Sequence, residues 1–293
     1  MHIPVMVNKV IEYMNPRGAG RYLDATTGEG GHARAILEAS APGGFIVCSD
    51  ADDTMLNRAK DNLDSFKARA QFLQANYRDI EDIVQETGGE KFDGIIVDLG
   101  FNTAQIQDDV RGFSFSIQGP LDMRYDRSKG ITAYEVVNKF AQERLAKIIK
   151  EYGEEKHYRK IAGAIVAARK KSYLKNTAEL ASVIAQTVGG RHGIHPATKT
   201  FQALRIFVND ELENLKAFLQ KAGNFLNVGG VLIVISFHSL EDRIVKQAFR
   251  QFALLAKPVF KILTRKPAMP DAEEIHYNPR ARSARLRAIQ RIA

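Results

Sequence analysis

Three apolar runs early in the chain each close on an aspartate, and each is followed by a segment of different rhythm. Asp24 lies at the end of residues 21–25 (RYLDA), Asp50 at the end of 45–50 (FIVCSD), and Asp98 near the end of 92–99 (FDGIIVDL). A further run, 71–75 (QFLQA), lies between the last two. The stretches between them carry helical spacing: His32 to Ala39, then Thr54 to Leu63 with Met55, Leu56, Ala59 and Leu63 on one face, then Ile80, Ile83 and Val84. Nearly continuous apolar strands alternating with helices predict βαβ units and a parallel sheet buried on both faces.

The rhythm then breaks. Residues 100–130 are polar and aperiodic, and from Thr132 to Gly190 the pattern is helical only, with Ile161, Ala164, Ile165 and Ala168 on one face of a helix over 157–171. One long helix is expected from Thr200 to about Leu226. Strand character returns at 231–237 (VLIVISF), Ser239 with Asp242 reads as a helix start of the capping-box kind, and 260–263 and 284–289 are candidates to complete the sheet. The expected fold class is therefore α/β, a Rossmann-like sheet interrupted by an all-helical insertion. Residues 1–104 and 205–293 form the sheet domain, and 105–204 form the insertion, read as the substrate-recognition domain.

Composition bounds the setting. The 293 residues are 45% hydrophobic and 26% charged, ordinary for a globular protein with its own core. Cys48 is the single cysteine, which excludes an internal disulfide and fits a reducing compartment. No apolar run approaches the ~20 residues of a membrane span, and the opening Met1-His2-Ile3-Pro4 is neither a signal nor a transit peptide; a cytoplasmic location without membrane contact is expected. The net charge of +8 is unevenly placed: residues 243–293 hold twelve Lys/Arg against three Asp/Glu. A concentrated basic segment points to a polyanion, nucleic acid foremost, with a solvated basic surface as the alternative.

The first strand–helix junction reads Asp24-Ala-Thr-Thr-Gly28-Glu-Gly30-Gly31-His32-Ala33. Glycines allow a sharp turn and close approach of backbone N–H groups to a ligand, and the following helix adds a partial positive charge. Asp50 follows Gly28 by 22 residues, the place for a carboxylate gripping ribose hydroxyls. Both NAD and S-adenosylmethionine present that ribose. Asp24, Asp50 and Asp98 around one crevice favour a cationic sulfonium over an anionic pyrophosphate; acids merely capping strand ends are the bland alternative.

Several long stretches together carry a resemblance: HIPVM (2–6), LDATTGEGGHARAIL (23–37), FDGIIVDLG (92–100), RGFSFSIQGPLDMRYD (111–126), YGEEKHYRKIAGAIVAAR (152–169), PATKTFQALRIFVNDEL (196–212), GGVLIVISFHSLEDRIVK (229–246) and NPRARSARLR (278–287). Over nearly its whole length the chain resembles the bacterial ribosomal RNA small-subunit methyltransferase H family, also called MraW. The resemblance implies a class I S-adenosylmethionine methyltransferase sheet and methyl transfer to the exocyclic N4 of a cytidine in the decoding region of small-subunit ribosomal RNA. The implied partner is that RNA or the assembled small subunit. A related mitochondrial branch acts on the organelle's small-subunit RNA. The cofactor contacts it implies fall on Gly30, Gly31, His32, Asp50, Tyr77, Asp98 and Gln105, with Tyr77 standing where Phe is commoner. Two departures stand out: Glu29 replaces a small residue, and Asp98-Leu-Gly-Phe-Asn102-Thr103-Ala104-Gln105 replaces a text with paired serines.

The exocyclic amine of cytosine is a poor nucleophile, so an enzyme must hold it in line with the methyl donor at roughly 3 Å and accept its hydrogen bonds. Asp98 and Asn102 are the catalytic candidates, Asp98 also being a cofactor candidate. No metal is expected, His192 and His195 having no supporting cluster. His238 reads as a structural hydrogen-bonder rather than a pocket residue. Arg111, Arg124 and Arg205 face phosphate or pair with Asp122, Asp126 and Glu211; the sequence leaves both open. Arg280, Arg282, Arg285 and Arg287 read as a phosphate-contacting edge, with a self-packed terminal strand as the rival. The insertion and this basic segment are expected to flank the pocket. Phe113 and Phe115 read as packing residues. Competing functions are a methyltransferase of the same build on another substrate, an RNA-binding assembly factor whose methyl transfer has decayed, and an NAD-linked oxidoreductase, which Asp24 disfavours.

Overall fold

A computed structural model of the chain describes residues 4–100, 110–189, 195–254 and 259–293. The chain divides into two compact units, Met1–Gly100 with Leu212–Ala293, and Phe101–Glu211.

The first unit is built on a seven-stranded sheet of order β3-β2-β1-β4-β5-β7-β6. Its strands are β1 (Arg21–Asp24), β2 (Phe45–Asp50), β3 (Ala70–Gln74), β4 (Phe92–Asp98), β5 (Leu226–Ser236), β6 (Phe260–Ile262) and β7 (Arg285–Arg291). Strands β1 to β5 pair in parallel, while β7 runs antiparallel to both β5 and β6. The helices of this unit are α1 (Val7–Met14), α2 (Gly31–Ala39), α3 (Asp53–Asn62) and α4 (Ile80–Glu86), then α10 (Glu211–Ala222), α11 (Ser239–Ala253) and α12 (Ala272–Tyr277).

Strand period sorts the core into two layers. Leu23, Val47, Ile95, Val97, Leu232 and Val234 face one side, where they pack with Ile80 and Ile83 of α4, Phe218 of α10 and Phe249 of α11. Tyr22, Ile46, Cys48, Ile96, Ile233 and Ile235 face the other, with Val10 and Met14 of α1 and Ile36 and Leu37 of α2. Covering both faces is what lets these strands be almost wholly apolar. Two helices here, α1 and α12, were not expected, and β5 begins at Leu226, earlier than its apolar run.

The second unit is helical among its described residues: α5 (Ala133–Lys139), α6 (Gln142–Gly153), α7 (Tyr158–Lys171), α8 (Thr177–Val188) and α9 (Thr198–Val208). Its core gathers Val136, Val137, Leu145, Ile149, Ile161, Ile165, Leu180, Ile184 and Leu204. Local signals set the starts. Thr132 and Glu135 form a reciprocal capping box on α5, and Asn176 caps α8 by accepting from the Glu179 N–H. Phe113 lies in this core, stacked on Tyr125 at 5.4 Å, and Phe115 packs edge-on to Phe201, so both aromatics are packing residues as expected.

The long helix expected from Thr200 is instead two, α9 and α10, interrupted at Asn209-Asp210. Asp210 adopts a left-handed φ of 49°, and Asn209 Nδ2 donates to the Met123 and Arg205 carbonyls. Apolar spacing runs unbroken across this point, which hides the break from a periodicity reading.

Candidate active site

The pairing register places three acids along one edge of the sheet. Asp24 ends β1 level with Cys48 of β2 and Ile96 of β4, so Asp50 and Asp98 each project two residues further on the neighbouring strands. This is the carboxyl edge at the point where strand order reverses, between β1 and β4, the usual ligand crevice of an open α/β sheet.

The Gly28–Gly31 turn crosses that edge. Gly28 and Gly30 hold left-handed φ values of 55° and 86°, a conformation that glycine adopts without steric cost. The Gly28 N–H donates to Asp50 Oδ2 at 2.8 Å and the Asp52 N–H to Asp50 Oδ1 at 2.9 Å, which orients the Asp50 carboxylate from both sides. The Gly30 N–H closes the turn on the Thr27 carbonyl at 2.8 Å. Gly31 opens α2, and a side chain there would drive its Cβ to 2.8 Å from Pro4 Cγ. The segment before α1 is thus seated on the turn. Met6, itself at φ 55°, is anchored by its N–H donating to Glu274 Oε1 of α12 at 2.6 Å.

Behind the turn the polar groups are buried and only partly satisfied. Asp24 is fully buried; its Oδ1 accepts from the Thr26 N–H at 3.3 Å, and its Oδ2 has no hydrogen-bond partner among the described residues. Burial pushes the Asp24 carboxyl up to about 7, against the opposing pull of His32. His32, in the first turn of α2, places Nε2 at 3.4 Å from Asp98 Oδ2. Burial lowers the His32 pKa, but its close approach to Asp98 and the charges of Asp98, Asp24 and Glu274 outweigh that and raise it. Asp98 Oδ1 and both ring nitrogens of His32 are also buried without a hydrogen-bond partner among the described residues. The Asp98 N–H donates to Thr26 Oγ1 at 2.7 Å, tying the end of β4 to the end of β1. Tyr77 follows β3 in a 3₁₀ turn, half-buried, edge-on to Phe218 at 5.6 Å.

Of the residues expected to bind cofactor, Gly30, Gly31, His32, Asp50 and Asp98 converge on this edge, and Tyr77 stands just beyond β3. Asn102 and Gln105 lie outside the described residues, as does His192. Thr26, Pro4 and Glu274 were missed. The Thr-Thr after Asp24 was a signal for Thr26, whereas nothing local marks Glu274, 268 residues from its partner.

Other expectations are corrected or sharpened. The helix-starting box of α11 is His238 with Glu241, one residue before Ser239: His238 Nδ1 accepts from the Glu241 N–H, and Glu241 Oε2 accepts from the His238 and Phe237 N–H groups. His238 is therefore structural, as expected. Arg205 binds Glu211 bidentately at 2.8 Å, Arg124 binds Asp122 at 2.7 and 3.0 Å, and Arg111 donates to the carbonyls of Arg124 and Tyr125. Arg287, expected on a phosphate edge, is buried in β7 and holds Asp242 at 2.6 and 3.2 Å; Arg285 reaches the same carboxylate at 3.5 Å. Arg280 and Arg282 are exposed.

Asp50 can accept hydroxyls of a ligand at this edge, and the incompletely satisfied carboxyls of buried Asp24 and half-buried Asp98 can face its positive charge. S-adenosylmethionine, with its ribose, ammonium and sulfonium, fits both roles, and a pyrophosphate does not. Sheet order and site together define a Rossmann-like methyltransferase. The family model for the MraW methylase family matches residues 1–292. The "Ribosomal RNA small subunit methyltransferase H" of Thermotoga neapolitana is 49% identical, covering 99% of this chain and 95% of its own length. The protein of that name from Thermomicrobium roseum is 46% identical, covering 100% and 94%. Among solved structures, an rRNA methylase from Streptococcus thermophilus overlaps with a TM-score of 0.46 at 10% identity over 98% of this chain and 94% of its own, too distant a likeness to carry an argument. The chain belongs to the MraW methylase family. It is an S-adenosylmethionine-dependent methyltransferase. No helix among the described residues is long and apolar enough to cross a membrane.

Proposed function

We propose that this enzyme methylates the exocyclic N4 of a cytidine in the decoding region of small-subunit ribosomal RNA. The observation that carries the reading is similarity at 46–49% identity, over essentially the whole chain, to relatives bearing the small-subunit methyltransferase name. The acids of the sheet edge, Asp24 buried and Asp50 and Asp98 half-buried, support the cationic methyl donor that this reading requires.

Asp50 binds the ribose hydroxyls, pre-oriented by the two backbone N–H groups it accepts from. Tyr77 packs against the adenine. Gly30 and Gly31 let the backbone approach, and Asp24 and Asp98 face the positively charged end. When bound, S-adenosylmethionine supplies the electrophilic methyl group. Asp98, steadied by His32 at 3.4 Å and by Thr26, accepts a hydrogen bond at the entering amino group and holds it in line for attack. Asn102 remains a second candidate for that acceptor. The target base must leave its stack or be presented single-stranded. Residues 105–204 serve as the recognition element for the RNA.

The test is nucleoside mass analysis of small-subunit RNA from a strain lacking the gene, joined to methyl transfer in vitro on naked RNA and on intact subunits. Loss of N4-methylated cytidine in the strain and its restoration by the purified protein are expected. An unchanged N4-methylcytidine level would overturn the assignment. The decayed-enzyme reading has one motive, Asn102-Thr103 in place of the usual serines, and it requires subunit binding with no affinity for S-adenosylmethionine.

A further inference from the structure

Glu29 is the side chain in the cofactor turn that the family pattern leaves unexplained, and its surroundings give it a task. Its carboxylate Oε1 sits 3.0 Å from Arg58 Nη1, and its backbone carbonyl accepts from Asn62 Nδ2 at 3.0 Å. Arg58 and Asn62 are four residues apart, on one face of α3, so one helical surface delivers both donors to one residue. Between them Ala59 and the following Leu63 press on the turn: a Cβ on Gly30 would lie 3.5 Å from Ala59 Cβ and 3.1 Å from Leu63 Cδ1.

The turn needs restraint. Gly28 and Gly30, on either side of Glu29, are the residues with the most conformational freedom to lose, and both must hold positive φ for the backbone to follow this path. One side is already fixed by the Gly28 N–H on Asp50. Asp50 ends β2, and α3 begins three residues later under the cap of Asp52. The β2–α3 junction therefore grips the turn twice, with the proposed ribose carboxylate on one side and with Arg58 and Asn62 on the other.

We propose that Arg58 and Asn62 are positioning residues for methyl transfer: they clamp Glu29 and hold the Gly28–Gly31 turn in its cofactor-binding shape before the cofactor arrives. This rests on the reading of that turn as the cofactor site. An isolated surface ion pair would contribute little. Here the pair closes a two-point clamp on a glycine-flanked residue, and what it reduces is the ordering cost of binding.

The test measures the S-adenosylmethionine Kd by calorimetry at low salt, cofactor KM and kcat, and unfolding of the ligand-free protein. Glu29→Ala, Arg58→Ala and Asn62→Ala should each raise Kd and KM about three- to tenfold, the range of one ordinary hydrogen bond, with kcat at saturating cofactor within about twofold of wild type. The double variant Glu29→Ala/Arg58→Ala should be no weaker than the worse single. The charge swap Glu29→Arg/Arg58→Glu should recover most of the affinity. Unchanged Kd in the single variants, additive effects in the double, no recovery in the swap, or a loss of folding stability and kcat with Kd intact would each overturn the clamp. Asp50→Asn separates the two readings. If it weakens binding and the Glu29 variants do not, the clamp alone falls; if neither changes Kd, the turn is not the cofactor site and both fall.

Discussion

Asp24 shows at the scale of one residue how burial and ligand charge are coupled. Water is excluded from it, one oxygen has no partner among the described residues, and burial lifts its carboxyl to about 7. A carboxyl whose pKa is raised by folding favours the folded state while protonated. That advantage is complete below about pH 4 and is lost as pH climbs through about 7. Asp24→Asn should therefore gain stability over wild type between about pH 5 and pH 8, by a few kcal/mol at most, in denaturant unfolding of the ligand-free protein. A gap that stays constant with pH would contradict the assignment. A bound cation reverses the preference, because it favours the carboxylate. S-adenosylmethionine should bind about tenfold more weakly at about pH 6 than at about pH 8, with proton release on binding near pH 7. His32, whose pKa is also raised, pushes in the same direction when protonated. Asp24→Asn isolates the Asp24 share: it should flatten the pH profile, and a profile that keeps its slope would show that His32 alone carries it.

At the scale of elements, β7 shows what charge counting cannot resolve. Arg285 and Arg287 alternate onto one face of a strand, and the helix facing them, α11, offers Asp242. Sequence shows the arginines but not the partner that the fold brings from 45 residues away. Arg287→Ala leaves a half-buried Asp242 without its main cation and should cost about 3 kcal/mol of stability, whereas Arg282→Ala on the exposed turn should stay within about 0.5 kcal/mol. Chemical denaturation of the two variants checks this, and equal effects would show that the Arg287 pair is energetically idle. The same limit explains what was legible elsewhere. Strands β1, β2 and β4 were readable because nearly unbroken apolar runs have one good solution, burial on both faces of a parallel sheet. Asp24, Asp50 and Asp98 were readable because they interrupt those runs at the crevice edge. The α9–α10 break, the His238 cap and the Glu274 anchor were not, since each depends on backbone geometry or on a partner distant in sequence. Glu29 was visible as an anomaly, but its explanation needed α3 in place.

At the scale of the whole molecule, the question is whether one RNA engages both units. The basic excess of residues 243–293 shrinks as an RNA-binding surface because Arg287 is committed to Asp242, while Arg280 and Arg282 are among the exposed cations of that segment. The helical unit carries its own exposed cations at the end of α7, Lys170 and Lys171. Removing one cation that neutralises a phosphate should reduce the slope of log affinity against log salt by about 0.7 for single-stranded RNA. If one RNA lies on both units, Arg280→Ala/Arg282→Ala and Lys170→Ala/Lys171→Ala should each lower that slope by about 1.4 and should add in the quadruple variant, with the S-adenosylmethionine Kd unchanged throughout. Filter binding to small-subunit RNA across a salt series reads this directly. A slope that moves for one pair only would assign RNA binding to a single unit, and recognition by residues 105–204 would stand only if the α7 pair is the one that moves.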